Sequence, residues 1–359
     1  MTLDVSMVKE NPCIREALLF EQLPQEKVQC GVCNRRCIIP LGKRGHCQAR
    51  ANIAGRLYVL TYGDISSMSA NPIEKKPLHH VFPGTRALTI GSWGCNFDCV
   101  WCQNWRITKR APDPFHSNYL APYDFVDTIP QRHCQGTSFS LNEPTTAFFE
   151  YSLDVMPQAR DRGFYNTYVT NGYMTEETLR WLAAAGLDAM NIDIKGCHAA
   201  VRKYCGIDVN KVWQTARQAL DLGIWVEITT LVIPGMNDTT RCLSSIAHRI
   251  HQELGAEVPW HVSAFHPAYR ATKHGLATPT PVSTLERAHT LGKKAGLHFV
   301  YVGNVFGHPA EHSYCKTCHA QLIRRTGYDV AFIHLSKDNT CTQCGTINPF
   351  RLTPSTPES

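Results

Sequence analysis

The sequence predicts an α/β protein: a partial β/α barrel of the (β/α)6 type with a small four-cysteine module at each end, a doubly wound sheet being the alternative. Three observations carry this. Short β-rich runs alternate with helical patterns through the middle of the chain, turn and polar residues follow each run, and eleven of the sixteen cysteines fall into three tight groups. The expected boundaries are an N-terminal module and connecting segment over 1–80, a barrel over 81–306 and a C-terminal module over 307–359.

Length and composition set the frame. The chain has 359 residues, 43% of them apolar, enough for a sizeable core. Its 24 glycines and 21 prolines are dispersed, which excludes low-complexity and collagen-like classes. No apolar run is long enough for a membrane span, and the N-terminus lacks a signal-peptide layout, so a cytoplasmic protein is expected. In a reducing compartment, clustered cysteines point to metal or iron–sulfur ligation and not to disulfides. The formal charge of +6 is not gathered into a stripe with interleaved aromatics, which argues against a nucleic-acid partner.

In chain order, Cys30, Cys33, Cys37 and Cys47 come first. Their spacing and intervening basic turns favour zinc, with an auxiliary iron–sulfur cluster as the alternative. The stretch 73–80, ending in His79 and His80, is expected to lie across the barrel. Seven strands follow, at Ala87–Gly91, Gly136–Leu141, Tyr165–Thr170, Ala189–Ile194, Val226–Val232, His261–Phe265 and Phe299–Val302. Helices are predicted over Thr175–Ala185, opened by Thr175 and closed by Gly186, and over Val212–Leu222, closed by Gly223. In a parallel barrel the residues after each strand share one mouth. Asn142, Glu143, Asn171, Asp193, Lys195 and His266 therefore converge there with Cys95, Cys99 and Cys102. The remaining cysteines, Cys13, Cys134, Cys197, Cys205 and Cys242, read as small buried apolar residues.

Cys95-x3-Cys99-x2-Cys102 places three thiols within eight residues, directly after the first strand. Three ligands on a four-iron cubane leave one iron open to a non-protein ligand; zinc completed by a distant residue is the alternative on spacing alone. The loop resembles the signature of the radical S-adenosylmethionine (radical SAM) enzymes. The likeness covers about Arg86 to Asn304 and includes Trp101 beside the last cysteine, Asn142-Glu143-Pro144, Asp193-Ile194-Lys195 and Ile233-Pro234-Gly235. Within the superfamily it is closest to the pyruvate formate-lyase activating branch, and there to the radical SAM protein of the AmmeMemoRadiSam system. That second likeness spans nearly the whole chain, through Cys30-x2-Cys33-Asn34-Arg35-Arg36-Cys37, Asn71 to Leu78 and the tail cysteine pairs. Ser140-Leu141-Asn142-Glu143-Pro144 departs from the activating enzymes' Gly-Gly-Glu-Pro.

The resemblance implies a [4Fe-4S] cluster on Cys95, Cys99 and Cys102 and S-adenosylmethionine bound by Trp101, Asn142, Glu143, Asn171, Asp193, Lys195 and His266. Glu143 is expected to meet the methionine amine, Asp193 the ribose, and Lys195 the carboxylate. Reductive cleavage to a 5′-deoxyadenosyl radical, hydrogen abstraction from a protein or small molecule, and an electron donor such as flavodoxin or ferredoxin complete the expectation. Two alternatives stand beside it: a non-catalytic iron–sulfur and zinc protein for electron transfer or assembly, and an RNA-modifying enzyme. At the end of the chain, Cys315-x2-Cys318 and Cys341-x2-Cys344 read as a four-cysteine zinc ribbon, with strand-like Gln321–Arg325 and Val330–His334 between the knuckles.

Overall fold

The computed structural model describes residue 8 and residues 11–353. Its centre is a single eight-stranded sheet. β7 (Ser67–Pro72) pairs antiparallel with β8 (Arg86–Gly91), and seven parallel strands follow in chain order: β8, β9 (Gly136–Phe139), β10 (Tyr165–Thr170), β11 (Ala189–Asp193), β12 (Trp225–Val232), β13 (Trp260–Ala264) and β14 (Val300–Gly303). Among the described residues a helix crosses each successive pair: α1 (Pro122–Gln131), α2 (Phe149–Asp161), α3 (Glu176–Ala185), α4 (Val209–Asp221), α5 (Thr240–Arg249) and α6 (Val282–Lys294). Six strand–helix units and a closing strand make a partial barrel whose end strands, β7 and β14, do not pair.

Local chemistry explains the boundaries. Thr175 Oγ1 accepts the Thr178 amide at the start of α3, and Gly186 closes it at φ +102°, a conformation in which a side chain would be strained. α4 begins three residues before Val212 because Asp208 caps it, its carboxylate accepting the Asn210 amide.

Segment 73–82 does more than cross the barrel: it fills part of the lumen. Phe82 stacks on Tyr165, and Leu78 and Ile73 join the same buried cluster as Ala87 and Ala189. Asn191 Nδ2 donates to the Pro77 carbonyl, and the Glu227 carboxylate accepts the His79 and His80 amides and His261 Nε2. Both histidines are buried.

The terminal modules attach differently. Leu19, Val28, Val32, Ile39 and Leu57, from the N-terminal strands β2 (Phe20–Leu23), β3 (Lys27–Cys30), β4 (Ile38–Ile39), β5 (Arg50–Ile53) and β6 (Arg56–Val59) and their loops, belong to the same core as the barrel. The C-terminal module has a small core of its own around Cys315, Leu322, Ile323 and Cys341, beneath the three-stranded sheet of β15 (Ser313–Tyr314), β16 (Gln321–Thr326) and β17 (Asp329–Phe332). The two runs between the tail knuckles pair as the ribbon pattern requires.

Candidate active site

The mouth at the C-terminal ends of the strands holds a cavity of about 360 Å³. Cys95, Cys99 and Cys102 line it, together with Trp101, Asn142, Glu143, Asn171, Asp193 and Lys195. His266 is exposed after β13 and is not among the lining residues. Asn304, which follows the last strand, lines it as well, and so do Lys75, Lys76, Thr170 and Ser263, which the sequence reading did not place in the mouth.

The polar side chains are tied to one another. Asn142 Oδ1 accepts the Ser92 amide at 3.0 Å, and its Nδ2 donates to the Trp93 and Gly94 carbonyls at 3.3 and 3.1 Å, so it fixes the root of the cysteine loop. Glu143 Oε1 accepts the Thr170 hydroxyl at 2.6 Å and the Thr145 amide at 3.1 Å; Oε2 accepts the Asn171 amide at 2.8 Å. Burial pushes the Glu143 carboxyl above its ordinary range against those three donors. Asn171 Nδ2 donates to Asn96 Oδ1 at 2.7 Å, bracing the residue that follows Cys95.

Lys195 Nζ lies 2.9 Å from Asp193. Burial opposes its charge, but Asp193 and the sulfurs of Cys99 and Cys205 outweigh it and hold the ammonium above the usual lysine range. Cys205 itself, read from the sequence as inert, brings its sulfur to 3.7 Å from Cys99 Sγ. Only tertiary contact reveals that neighbour. The thiols of Cys95 and Cys102 are pushed up mainly by burial, and that of Cys99 mainly by its contact with Cys205.

A second cavity of about 550 Å³ adjoins the first and shares Lys75, Pro77, Ser263 and Asn304 with it. It runs between the ends of β13 and β14, the lumen segment and the β16–β17 turn, and Glu74, His79, Glu311 and Arg325 face it. Glu74 Oε2, His79 Nδ1 and Glu311 Oε1 have no hydrogen-bond partner.

Comparison with known proteins gives this mouth its context. The family model described as the Radical SAM superfamily matches residues 90–242, which include the three-cysteine loop and the Asn142, Asn171 and Asp193 turns. The uncharacterized protein MJ0808 of Methanocaldococcus jannaschii is 42% identical over 333 residues, 92% of this chain and 98% of its own. The chain belongs to the radical SAM superfamily. Its likeness to a GTP 3′,8-cyclase of Nautilia profundicola is more distant, 27% over 152 residues, 40% of this chain and 46% of that one. Among solved structures, a domain of pyruvate-formate lyase-activating enzyme from Bacteroides vulgatus aligns at a TM-score of 0.41 and 15% identity, covering 47% of this chain and 99% of that domain.

Radical SAM enzymes generally cleave S-adenosylmethionine with an iron–sulfur cluster, and the donor set here fits one. Three thiols from a single loop share a cavity wall with a cationic lysine, which suits an anionic cluster and a carboxylate-bearing ligand. The tail site is of another kind. Cys315, Cys318, Cys341 and Cys344 place their sulfurs within 4.8 Å of one another, with contacts of 3.6 and 3.7 Å. A metal–sulfur bond of about 2.3 Å separates tetrahedral thiolates by about 3.8 Å, so the set fits one ion. Hydrogen bonds from the Thr346 side chain and amide draw the Cys344 thiol down to about 6. No helix among the described residues is long and apolar enough to cross a membrane.

Proposed function

We propose that this protein is a radical SAM oxidoreductase that generates a 5′-deoxyadenosyl radical at Cys95, Cys99 and Cys102 and directs it at a hydrogen donor in the adjoining chamber. One observation carries the reading: the three-thiol loop, Glu143, and the Asp193–Lys195 pair converge on one cavity that shares a wall with a second. When bound, the cluster supplies the single electron that splits a carbon–sulfur bond of S-adenosylmethionine.

The chain's own residues then divide the work. Glu143, pushed toward neutrality by burial, regains its charge against the cationic methionine amine. Lys195, held protonated by Asp193 and the sulfurs, meets the methionine carboxylate, and Asp193 keeps an oxygen for the ribose. Trp101 closes the apolar side beside the adenine. Asn142 positions the loop through backbone bonds and is left with no amide hydrogen for the ligand. The donor is a small polar molecule or the tip of a protein loop, as in the glycyl-radical activating branch that the motifs resemble. A flavodoxin or ferredoxin supplies electrons, zinc occupies the tail site, and free thiols throughout suit the cytoplasm.

The test is anaerobic reconstitution followed by reduction with S-adenosylmethionine present and quantification of 5′-deoxyadenosine. Wild type is expected to form it and Cys99→Ala to form none. Glu143→Ala should keep its cluster and bind S-adenosylmethionine at least tenfold more weakly. A fully loaded wild type that forms no product would favour electron transfer or assembly.

A further inference from the structure

Each thiol of the three-cysteine loop meets a hydrogen-bonding group that is not one of the three. Cys95 Sγ accepts the Phe97 amide at 3.4 Å and lies 3.9 Å from Asn171 Nδ2. Cys102 Sγ lies 3.2 Å from Thr108 Oγ1. Cys99 Sγ meets another sulfur, that of Cys205, at 3.7 Å and across 106 residues of chain.

The fold delivers Cys205 to that spot. It ends the helix His198–Cys205, which opens shortly after Lys195, and Val201 and Cys205 stand one turn apart on the buried side of that helix. Cys205 is wholly buried and does not line the mouth cavity, so its contact with the site runs through Cys99. Among the described residues, the one hydrogen bond its sulfur makes is with Cys99.

Ligation fixes the direction of these bonds. An iron-bound Cys99 carries no hydrogen and accepts only, so the bond runs from the Cys205 S–H to the Cys99 sulfur. The Thr108 hydroxyl donates to Cys102 in the same way. A second thiolate beside the first, with no water to screen it, would be repelled, and Cys205 therefore keeps its hydrogen. Reduction adds one negative charge to a cluster, and donors aimed at its ligating sulfurs favour the more negative state.

We infer that Cys205 is a positioning residue that acts through Cys99: its thiol donates to the iron-bound sulfur and raises the reduction potential of the three-cysteine cluster. The inference rests on the radical SAM reading and adds to it a residue that touches neither substrate nor S-adenosylmethionine. A one-electron protein donor gives the cluster one electron and is itself oxidised by one. The S–H bond stays intact throughout, and no proton leaves the site.

The test is a reductive titration of the anaerobically reconstituted protein, without S-adenosylmethionine, followed through the electron paramagnetic resonance signal that Cys99→Ala lacks. Cys205→Ala, which removes the donor, should be about tenfold harder to reduce, a shift of about 59 mV to more negative potential. Cys205→Val, which also fills the space that water could enter, should shift in the same direction. Cys205→Ser keeps a donor and should stay within about twofold of wild type or become easier to reduce. A change of less than about twofold in both apolar variants would overturn the inference, and so would a serine variant that falls with them, since packing alone would then explain the residue. The expected shifts in a protein that forms no 5′-deoxyadenosine would support the role of Cys205 and count against the radical SAM reading.

Discussion

Asn142 and Glu143 are neighbours in one turn and both line the cavity, yet the first bonds to the backbone of the cysteine loop and the second to Thr145, Thr170 and Asn171. A pattern names both; only the contacts show that Asn142 holds the Trp93 and Gly94 carbonyls while Glu143 holds Thr170 and the Asn171 amide. Lys76 shows the reverse case, a residue no motif ranked as a ligand that the fold buries against the same cavity. Burial, aided by neighbouring Lys75, lowers its pKa from 10.5 to about 7. The unfolded chain therefore binds more protons than the folded one between those values. Stability is expected to rise as pH increases from about 7 toward 10, and the penalty is complete below about 7. Thermal unfolding of the ligand-free protein should show a higher Tm at pH 9 than at pH 7, and Lys76→Met should flatten that slope. Parallel slopes in the two proteins would mean that Lys76 is solvated.

At the scale of elements, strands were legible because each is a short β-branched or aromatic run ended by a turn. Tyr165–Thr170 emerges with its predicted bounds, and the others shift by one or two residues. Helix α3 was legible through its caps, but its start has a second task that spacing does not reveal. Thr175 Oγ1, besides capping the helix, lies 2.8 Å from the Gly31 carbonyl, and Thr178 Oγ1 donates to Val32. The N-terminal module is thus pinned to the entrance of a barrel helix. Thr175→Ala removes both cap and tether and is expected to cost about 2 kcal/mol, read from urea unfolding. A cost of only a few tenths would show that the module is held by the shared core alone.

At the scale of the whole molecule, the C-terminal module packs against β14 and the lumen segment. Tyr301 on β14 bonds to Ser313 and to His80 of the lumen segment, Phe350 stacks on His80 at 4.2 Å, and the Phe82 amide donates to the Arg351 carbonyl. Arg325 is the pivot. Wholly buried, it donates to the His79 carbonyl and Ser313 Oγ, with Nε 3.9 Å from Glu74 Oε1. Arg325→Ala would leave the Glu74 carboxylate buried with only the Gly84 amide and no countercharge. A loss of about 3 kcal/mol is expected in urea unfolding, together with weaker hydrogen-exchange protection over 73–82. A loss confined to the C-terminal module, with that segment unchanged, would show that the lumen segment stands without it.

By itself the sequence determined the α/β class, the order of the seven strands, the three cysteine groups and the family of the central loop, because each rests on residues close together in the chain. Tertiary structure alone decided that Asn142 braces the cysteine loop, that Glu143 bonds to Thr170 and Asn171, that His266 stays outside the mouth cavity, and that Cys205 reaches Cys99. It also decided that segment 73–82 enters the lumen, that a second cavity adjoins the first, and that, among the described residues, the tail cysteines alone gather within reach of one ion. Each of these depends on distances between residues far apart in sequence, and spacing along a chain fixes none of them.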